Sequence, residues 1–384
     1  MAKPIFLDNN ATTPIDPRVC DVMDRVARSY FGNPASSTHT YGWQADTLVT
    51  IAREHCASLI NSSEEEIIFT SGATESNNIA LFGSILPFLE QGKRPRVLSV
   101  QTEHKSIIDP LSELSRLGVD VELLRVEKDG SISIEQFTQA LKTPTTLVSA
   151  MLANNEIGTI HDIQALSKIA KQTNTLFHCD ATQALGKIPV DVKTLDVDFI
   201  SFSAHKLYGP KGVGALFGKK QSLKNLKPFI FGGGHEQGLR AGTLNTIGIA
   251  GFGEACRLSK EEFEANAKHL RSLSKKMLSN LLNKISEVTL HGPLEKRLPG
   301  SLNLFLKNVD SATLIGELQT KVAISKSSAC SSKEKAGSHV LRALNVAEEA
   351  LYSSIRIGIG KFTTEEEIER ACELISEAVN KIRR

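Results

Sequence analysis

Four short stretches of the sequence carry side chains that could do chemistry. Residues 70–78, TSGATESNN, put Gly72 and Thr74 where an apolar run gives way to a helical pattern. A glycine turn opening a helix leaves backbone N–H groups pointing outward, which suits an anion such as phosphate; an ordinary N-cap is the plainer use of such residues. Residues 177–183, FHCDATQ, bring Asp180 to the end of another apolar run. A carboxylate at the carboxyl end of a parallel strand lies in the crevice where α/β folds bind ligands, and capping the next helix is its plainer task. Residues 201–209, SFSAHKLYG, end a third run on His205 and Lys206, and a single lysine is by default a surface residue. The fourth stretch, residues 325–337, reads SKSSACSSKEKAG and holds Cys330. Its small, polar and charged residues predict an exposed, mobile loop, and hydrated lysines around a thiol favour the thiolate; alone, the cysteine would read as packing or an inert thiol.

The first three stretches ask for one ligand. It has a phosphate for Thr74, Ser203 and His205, a protonated ring nitrogen for Asp180, and an aldehyde that condenses with the Lys206 amine. Pyridoxal phosphate (PLP) meets all three demands, and proteins hold it through a lysine Schiff base with an acidic partner for the pyridinium nitrogen. A carboxylate beside that nitrogen keeps the ring cationic, and a cationic ring is a sink for the electrons of a substrate carbanion.

Positioning these groups takes a layered fold. Apolar runs rich in β-branched residues at 67–69, 96–100, 146–152, 175–179, 198–201 and 212–217 alternate with helical patterns. Ile79, Phe82, Leu86 and Leu89 share one helical face, as do Ile163, Leu166, Ile169 and Ala170. The alternation predicts an α/β layer with a mostly parallel sheet. Residues 259–285 are charged and helical, an expected exposed crossover. Strands predicted at 301–305, 322–324 and 354–359, with helices at 312–318 and 364–382, read as a smaller α+β domain. The chain has 384 residues, enough for two domains at roughly 150 each.

Bulk composition narrows the class. Hydrophobic residues make up 41% and charged residues 23%, so a buried core is expected rather than disorder. The net charge of +2 is too weak a bias to point to nucleic acid or an anionic membrane. No apolar run approaches the roughly 20 residues that span a bilayer, and no basic-then-apolar leader opens the chain. The cysteines at 20, 56, 179, 256, 330 and 372 show no CxxC, which suits a reducing, cytoplasmic setting.

Nearly end to end, the chain resembles the cysteine desulfurases, NifS- and IscS-like PLP enzymes of fold type I in the class V aminotransferase group. The likeness runs through LDNNATTPIDPRV at 7–19, FGNPASSTH at 31–39, FTSGATESNN at 69–78, EHKS at 103–106 and ANNEIGTI at 153–160. It continues through FHCDATQALGKI at 177–188, SAHKLYGPKGVGAL at 203–216, GGGHEQGLRAGTLNT at 232–246, SSACSS at 327–332, SHVLRAL at 338–344 and SIRIGIG at 354–360. Departures are few. Gln237 stands where a basic residue is frequent, residues 37–40 lack the arginines some members carry, and Cys179 and Thr182 vary the usual HVDAAQ.

The resemblance implies a large PLP-binding domain of residues 16–259 with a mostly parallel, seven-stranded-type sheet flanked by helices. Residues 1–15 and 260–384 would form the smaller α+β domain carrying the cysteine loop, 325–337. His104 would stack on the cofactor ring and relay protons, and Gln183 would hydrogen-bond its phenolic oxygen. Ala73 and Thr74, with Ser203 and His205, would hold the phosphate, completed by Thr243 from the other subunit of a homodimer. Asn155 and Arg356 would hold the substrate carboxylate, for which the arginine fork is suited; by itself Arg356 would read as a surface ion-pair partner.

The loop around Cys330 is long enough to resemble the first of the family's two forms, whose cysteine carries sulfur to an acceptor protein. The implied activity is removal of sulfur from L-cysteine, giving L-alanine and a Cys330 persulfide. A scaffold or sulfur-relay protein would take the sulfur on toward iron–sulfur clusters, tRNA or DNA thiolation. No metal is expected, beyond a transient cluster ligated by Cys330 with a partner. A selenocysteine lyase and a small-amino-acid aminotransferase of the same group remain alternatives, and the latter would have no use for Cys330.

Overall fold

The computed structural model describes residues 3–327 and 337–384. Its larger sheet has seven strands in the spatial order Ile67–Thr70, Gly214–Gly218, Phe199–Ser203, Leu176–Asp180, Leu147–Ser149, Arg96–Val100 and Asp120–Leu124. Six run parallel, and Gly214–Gly218 runs against both neighbours. All six apolar runs anticipated from the sequence form strands. The seventh, Asp120–Leu124, escaped notice because it is an edge strand. It exposes Asp120 and Glu122 and so lacks a continuous apolar signature.

Each parallel strand leads into a helix or turn at its carboxyl end, so these ends share one edge of the sheet. There the helices Ala73–Glu90 and Lys105–Arg116 begin, followed along the chain by the turns after Ser149, Asp180 and Ser203. Helix Ala73–Glu90 buries Ile79, Leu81 and Ile85 against the sheet. Helices Thr40–Ile60 and Thr246–Glu261 pack in parallel, crossing closely where a Cβ on Gly253 would lie 2.5 Å from the Ala52 Cα. The sheet sits inside a core that includes Phe69, Val100, Phe177, Ile200, Phe202 and Phe252.

A second, antiparallel sheet orders the strands Ser325–Lys326, Ser354–Gly358, Ser301–Leu306 and Val288–Leu290. Helices Phe263–Lys284 and Glu365–Ile382 cover it, and Leu270, Leu273, Met277 and Leu281 pack with Leu302, Leu304, Ile355, Ile357 and Ile375. The expected exposed crossover is therefore half right. The helical run breaks at Glu262, and its second half buries an apolar stripe in this core.

The strand expected at 322–324 divides. Val322–Ala323 pair in parallel with Ile5–Phe6, and Ser325–Lys326 cross to the second sheet, where Ser325 lies opposite Arg356. The first residues of the anticipated loop are thus paired backbone. Among the described residues, no helix is long and apolar enough to cross a membrane.

Candidate active site

At the carboxyl edge of the seven-stranded sheet lies a cavity of about 580 Å³. It is lined by Ala73, Thr74, His104, Asn155, Asp180, Gln183, Ser203, His205, Lys206 and Arg356. The structure therefore brings together all but two of the residues singled out from the sequence. Thr243 lies on an exposed segment away from the cavity, and Cys330 falls outside the described residues.

The lysine is no surface residue. The strand Phe199–Ser203 ends in a tight turn, Ala204–Lys206, that sends the Lys206 side chain inward. Its Nζ donates to the carbonyl oxygens of Asn10 (2.5 Å) and Ala11 (2.7 Å). Both acceptors belong to the N-terminal DNNATTP segment, which sequence reasoning matched to the family without giving it a task. His205, on the same turn, meets the Thr12 hydroxyl at 3.1 Å. Burial, with Lys206 and Lys211 nearby, pushes the His205 imidazole down to about 4, so it is neutral at physiological pH.

Asp180 is buried, and its two oxygens are differently engaged. Oδ1 accepts from the Thr182 N–H (2.9 Å), so the carboxylate does cap the turn that follows, while Oδ2 accepts from the Asn77 amide (2.9 Å). The other hydrogen of that amide nitrogen goes to Ser106 Oγ at 2.8 Å, and Ser106 meets His104 Nδ1 at 2.8 Å. His104 is also the N-cap of its helix, accepting from the Ser106 N–H at 3.1 Å. Burial lowers its pKa, and with Nδ1 accepting, the neutral ring carries its proton on Nε2. Asn77 and Ser106 were missed from the sequence. Their signal lies in the structure, where Asn77 and Ser106 are buried polar residues.

The anion end is backbone. Gly72 caps helix Ala73–Glu90 with φ +153° and supplies no side-chain cap, so the first amides of the helix have no partner within it. Ser203 faces this turn, and a Cβ on Gly72 would lie 3.8 Å from its Oγ. Gly214 makes room behind it: a Cβ there would come within 2.6 Å of the Phe202 carbonyl oxygen and 2.7 Å of the Gly72 Cα. Glu75, also at the rim, is taken up by Arg240 at 2.7 Å and by the Ser71 N–H at 2.8 Å.

Across the cavity, Arg356 rises from the second sheet and is 2% exposed. It pairs with Asp8 at 3.0 Å and reaches the Asn155 carbonyl oxygen at 3.5 Å, while its buried Nε–H has no acceptor among the described residues. A guanidinium lining a cavity with a donor to spare fits a carboxylate. At the other end, a lysine amine, a buried carboxylate and a helix N-terminus surround space for a molecule with an aldehyde, a ring nitrogen and a phosphate, and these residues fit PLP. Among the described cysteines none lines the cavity, and burial pushes the thiols of Cys179, Cys256 and Cys372 up, making them poor nucleophiles.

The comparisons with known proteins agree with this geometry. A profile of the aminotransferase class-V family matches residues 5–371. Over 99% of its length the chain is 45% identical to cysteine desulfurase IscS of Methylobacillus flagellatus, covering 93% of that protein. It is likewise 45% identical to the mitochondrial cysteine desulfurase of Arabidopsis thaliana, over 99% of this chain and 83% of the relative. A solved NifS-like protein superposes with a TM-score of 0.92 at 36% identity, covering 98% of this chain and 100% of the other. The chain belongs to the aminotransferase class-V family, in its PLP-dependent cysteine desulfurase branch.

Proposed function

We propose that the protein is a cysteine desulfurase, which removes sulfur from L-cysteine, releases L-alanine and holds the sulfur as a persulfide on Cys330. The observation that carries this reading is the single cavity on which Lys206, Asp180, a helix N-terminus and Arg356 converge. Lys206 would hold PLP, Asp180 its ring nitrogen and Gln183 its phenolic oxygen, while His104 would stack on the ring. Ala73, Thr74, Ser203 and His205 would hold the phosphate. Bound there, PLP supplies an aldehyde carbon for the substrate amine and a cationic ring that draws electrons from the substrate's Cα, which weakens its Cβ–S bond.

The chain's own residues do the rest. Arg356 and Asn155 fix the substrate carboxylate, which orients Cα toward Lys206. The Lys206 amine takes the Cα proton, and His104, with its proton on Nε2, is placed to pass protons in the same space. The Cys330 thiolate attacks the substrate sulfur. A sulfur–sulfur bond forms, the Cβ–S bond breaks with its electron pair left on the carbon, and protonation at Cβ together with return of a proton to Cα gives alanine.

We further infer a homodimer in which Thr243 meets the other subunit's phosphate site. Supporting this, Thr243 is exposed beside the amino end of helix Thr246–Glu261, which packs in parallel with Thr40–Ile60. That shared end also exposes Tyr41, Trp43 and Ile247, an apolar surface suited to a subunit contact. The sulfur would pass to a scaffold or relay protein of the reducing cytoplasm for iron–sulfur cluster assembly or thiolation of tRNA or DNA.

The deciding experiment compares wild type with Cys330→Ala. The variant is expected to keep the visible absorbance of bound PLP and to lose alanine production from L-cysteine. Full activity in Cys330→Ala would end the desulfurase reading and leave an aminotransferase-like enzyme.

A further inference from the structure

Lys187 is a buried lysine that none of the proposed roles uses. It is 5% exposed, and among the described residues no carboxylate comes within salt-bridge distance of it. Its ammonium has one hydrogen-bond partner, Gln183 Oε1 at 3.2 Å. Burial pushes its pKa down to about 8, and the Arg356 guanidinium adds to the depression. An ammonium in such a setting is costly unless an anion nearby offsets it. Among the described residues Arg356, on the strand Ser354–Gly358, is the one charged group that acts on it, and that group is itself cationic. Among the described residues no anion offsets it, and one carried by a ligand would.

The hydrogen bonds show where the charge is directed. Lys187 follows Gln183 by four residues, across the turns that follow Asp180, and the bond to Oε1 fixes which way the Gln183 amide faces. The oxygen turns to Lys187, and Nε2 donates to the Asn10 carbonyl oxygen at 2.8 Å. The Asn10 carbonyl is also an acceptor for Lys206 Nζ. Gln183 Nε2 and the Lys206 amine are therefore gathered at one carbonyl, and both residues line the cavity. In pyridoxal the phenolic oxygen is on the ring carbon next to the one bearing the aldehyde. A group that meets Lys206 through its aldehyde thus brings that oxygen to Gln183. A cation on the far side of the amide polarises it and strengthens its N–H as a donor to an oxyanion, an effect that grows in a dry interior.

We propose that Lys187 is a positioning residue for the cofactor, a buried ammonium that orients the Gln183 amide and through it stabilises the ionised phenolic oxygen of PLP. The inference rests on the reading that Lys206 holds PLP. It extends the set of cofactor-directed residues to one that does not line the cavity.

The test is a pH titration of the visible band of the PLP-loaded protein in wild type, Lys187→Met, Gln183→Leu and the double variant. Lys187→Met is expected to keep its PLP and to move the midpoint upward by about one pH unit, a tenfold change in the proton equilibrium. In the Gln183→Leu background the same substitution is expected to move it no further. Lys187→Arg should restore a midpoint near that of wild type. If the methionine variant does not fold, Lys187→Gln serves, since it drops the charge and keeps a donor to Gln183. An unchanged midpoint in a neutral variant overturns the proposal, and so does an equal shift with and without Gln183. A wild-type protein with no visible band would instead overturn the PLP reading itself, so the two failures are distinct.

Discussion

The two ends of the cavity are built on different principles. Around Lys206 and Asp180, the hydrogen-bonded side chains hang from the carboxyl edge of one sheet or from the helices that start there. They are tied in series, Asp180 to Asn77, Asn77 to Ser106 and Ser106 to His104. The end at Arg356 is assembled from distant segments. Asp8 comes from the amino terminus, Asn155 from a turn beyond Ser149, and Arg356 from the second sheet, joined by a 3.0 Å ion pair and a 3.5 Å contact. On the proposed reading the cofactor groups are preorganised at the edge of one sheet, with the N-terminal segment laid against them, whereas substrate recognition would depend on how the two sheets are registered.

The largest effect should come from the first end. Lys206→Ala removes the amine on which the PLP chemistry depends, and alanine formation is expected to fall by about 10³-fold or more. The visible band of covalently held PLP should vanish, while the denaturation midpoint stays near that of wild type. Persistence of that band would show that the rigid end is organised around some other amine, with Lys211 at the rim as the first suspect.

At the assembled end, Arg356→Met should separate substrate from cofactor. Losing one partner of a buried, hydrogen-bonded charge pair costs binding about 2–5 kcal/mol, so kcat/KM for L-cysteine is expected to drop about 30- to 5000-fold, carried mainly by KM. PLP absorbance should be unchanged, because the first end does not use this residue. Loss of PLP binding in this variant would break the comparison, since it would mean that the two ends are one unit.

The same contrast explains what the sequence made legible. Lys206, Asp180 and His205 could be read because strand ends in an α/β layer announce themselves, with a β-branched run, then small residues, then the functional group. Asn10 and Ala11 could not, because they act through backbone carbonyls, whose use no side chain reveals. The Arg356–Asp8 pair was equally hidden, because nearly the whole chain separates its partners. Lys187 lies within FHCDATQALGKI but gives no signal there, since a lysine reads as surface until burial is known. The Asp120–Leu124 strand was lost to its exposed charges, and the helix break at Glu262 had no proline or glycine to mark it.

A finer probe of the junction is Glu156. Its backbone carbonyl accepts from Asn303 at 3.2 Å and its carboxyl from Ser338 Oγ at 2.5 Å, so it joins the turn beside Asn155 to the second sheet and to the segment following Cys330. Burial raises its pKa to about 7. The folded protein therefore holds this proton up to near pH 7, while the unfolded chain releases it near the ordinary carboxyl value of 4.5. The stabilisation is complete below the unfolded value and is lost as pH rises through the folded one, an amount of about 3 kcal/mol across that window. Glu156→Gln should flatten the fall in stability between those pH values, measured by urea unfolding. An unaltered slope would show that the junction does not titrate.

The smallest expected effect lies in the second sheet's own cover. Thr364 caps helix Glu365–Ile382 by accepting from the Glu367 N–H at 3.2 Å, and the Glu367 side chain accepts in return from the Thr364 N–H at 3.0 Å. Thr364→Ala should cost about 1 kcal/mol of unfolding free energy. That helix packs on the far side of the sheet that bears Arg356, so its loss of stability offers a graded test of registration. If substrate binding depends on how firmly the second sheet is held, KM for L-cysteine should rise slightly as the helix end frays, with PLP absorbance constant. A KM identical to that of wild type, alongside the full loss in stability, would show that the strand Ser354–Gly358 is fixed by its sheet partners and the Asp8 pair alone, and that the assembled end is stiffer than its scattered origins suggest.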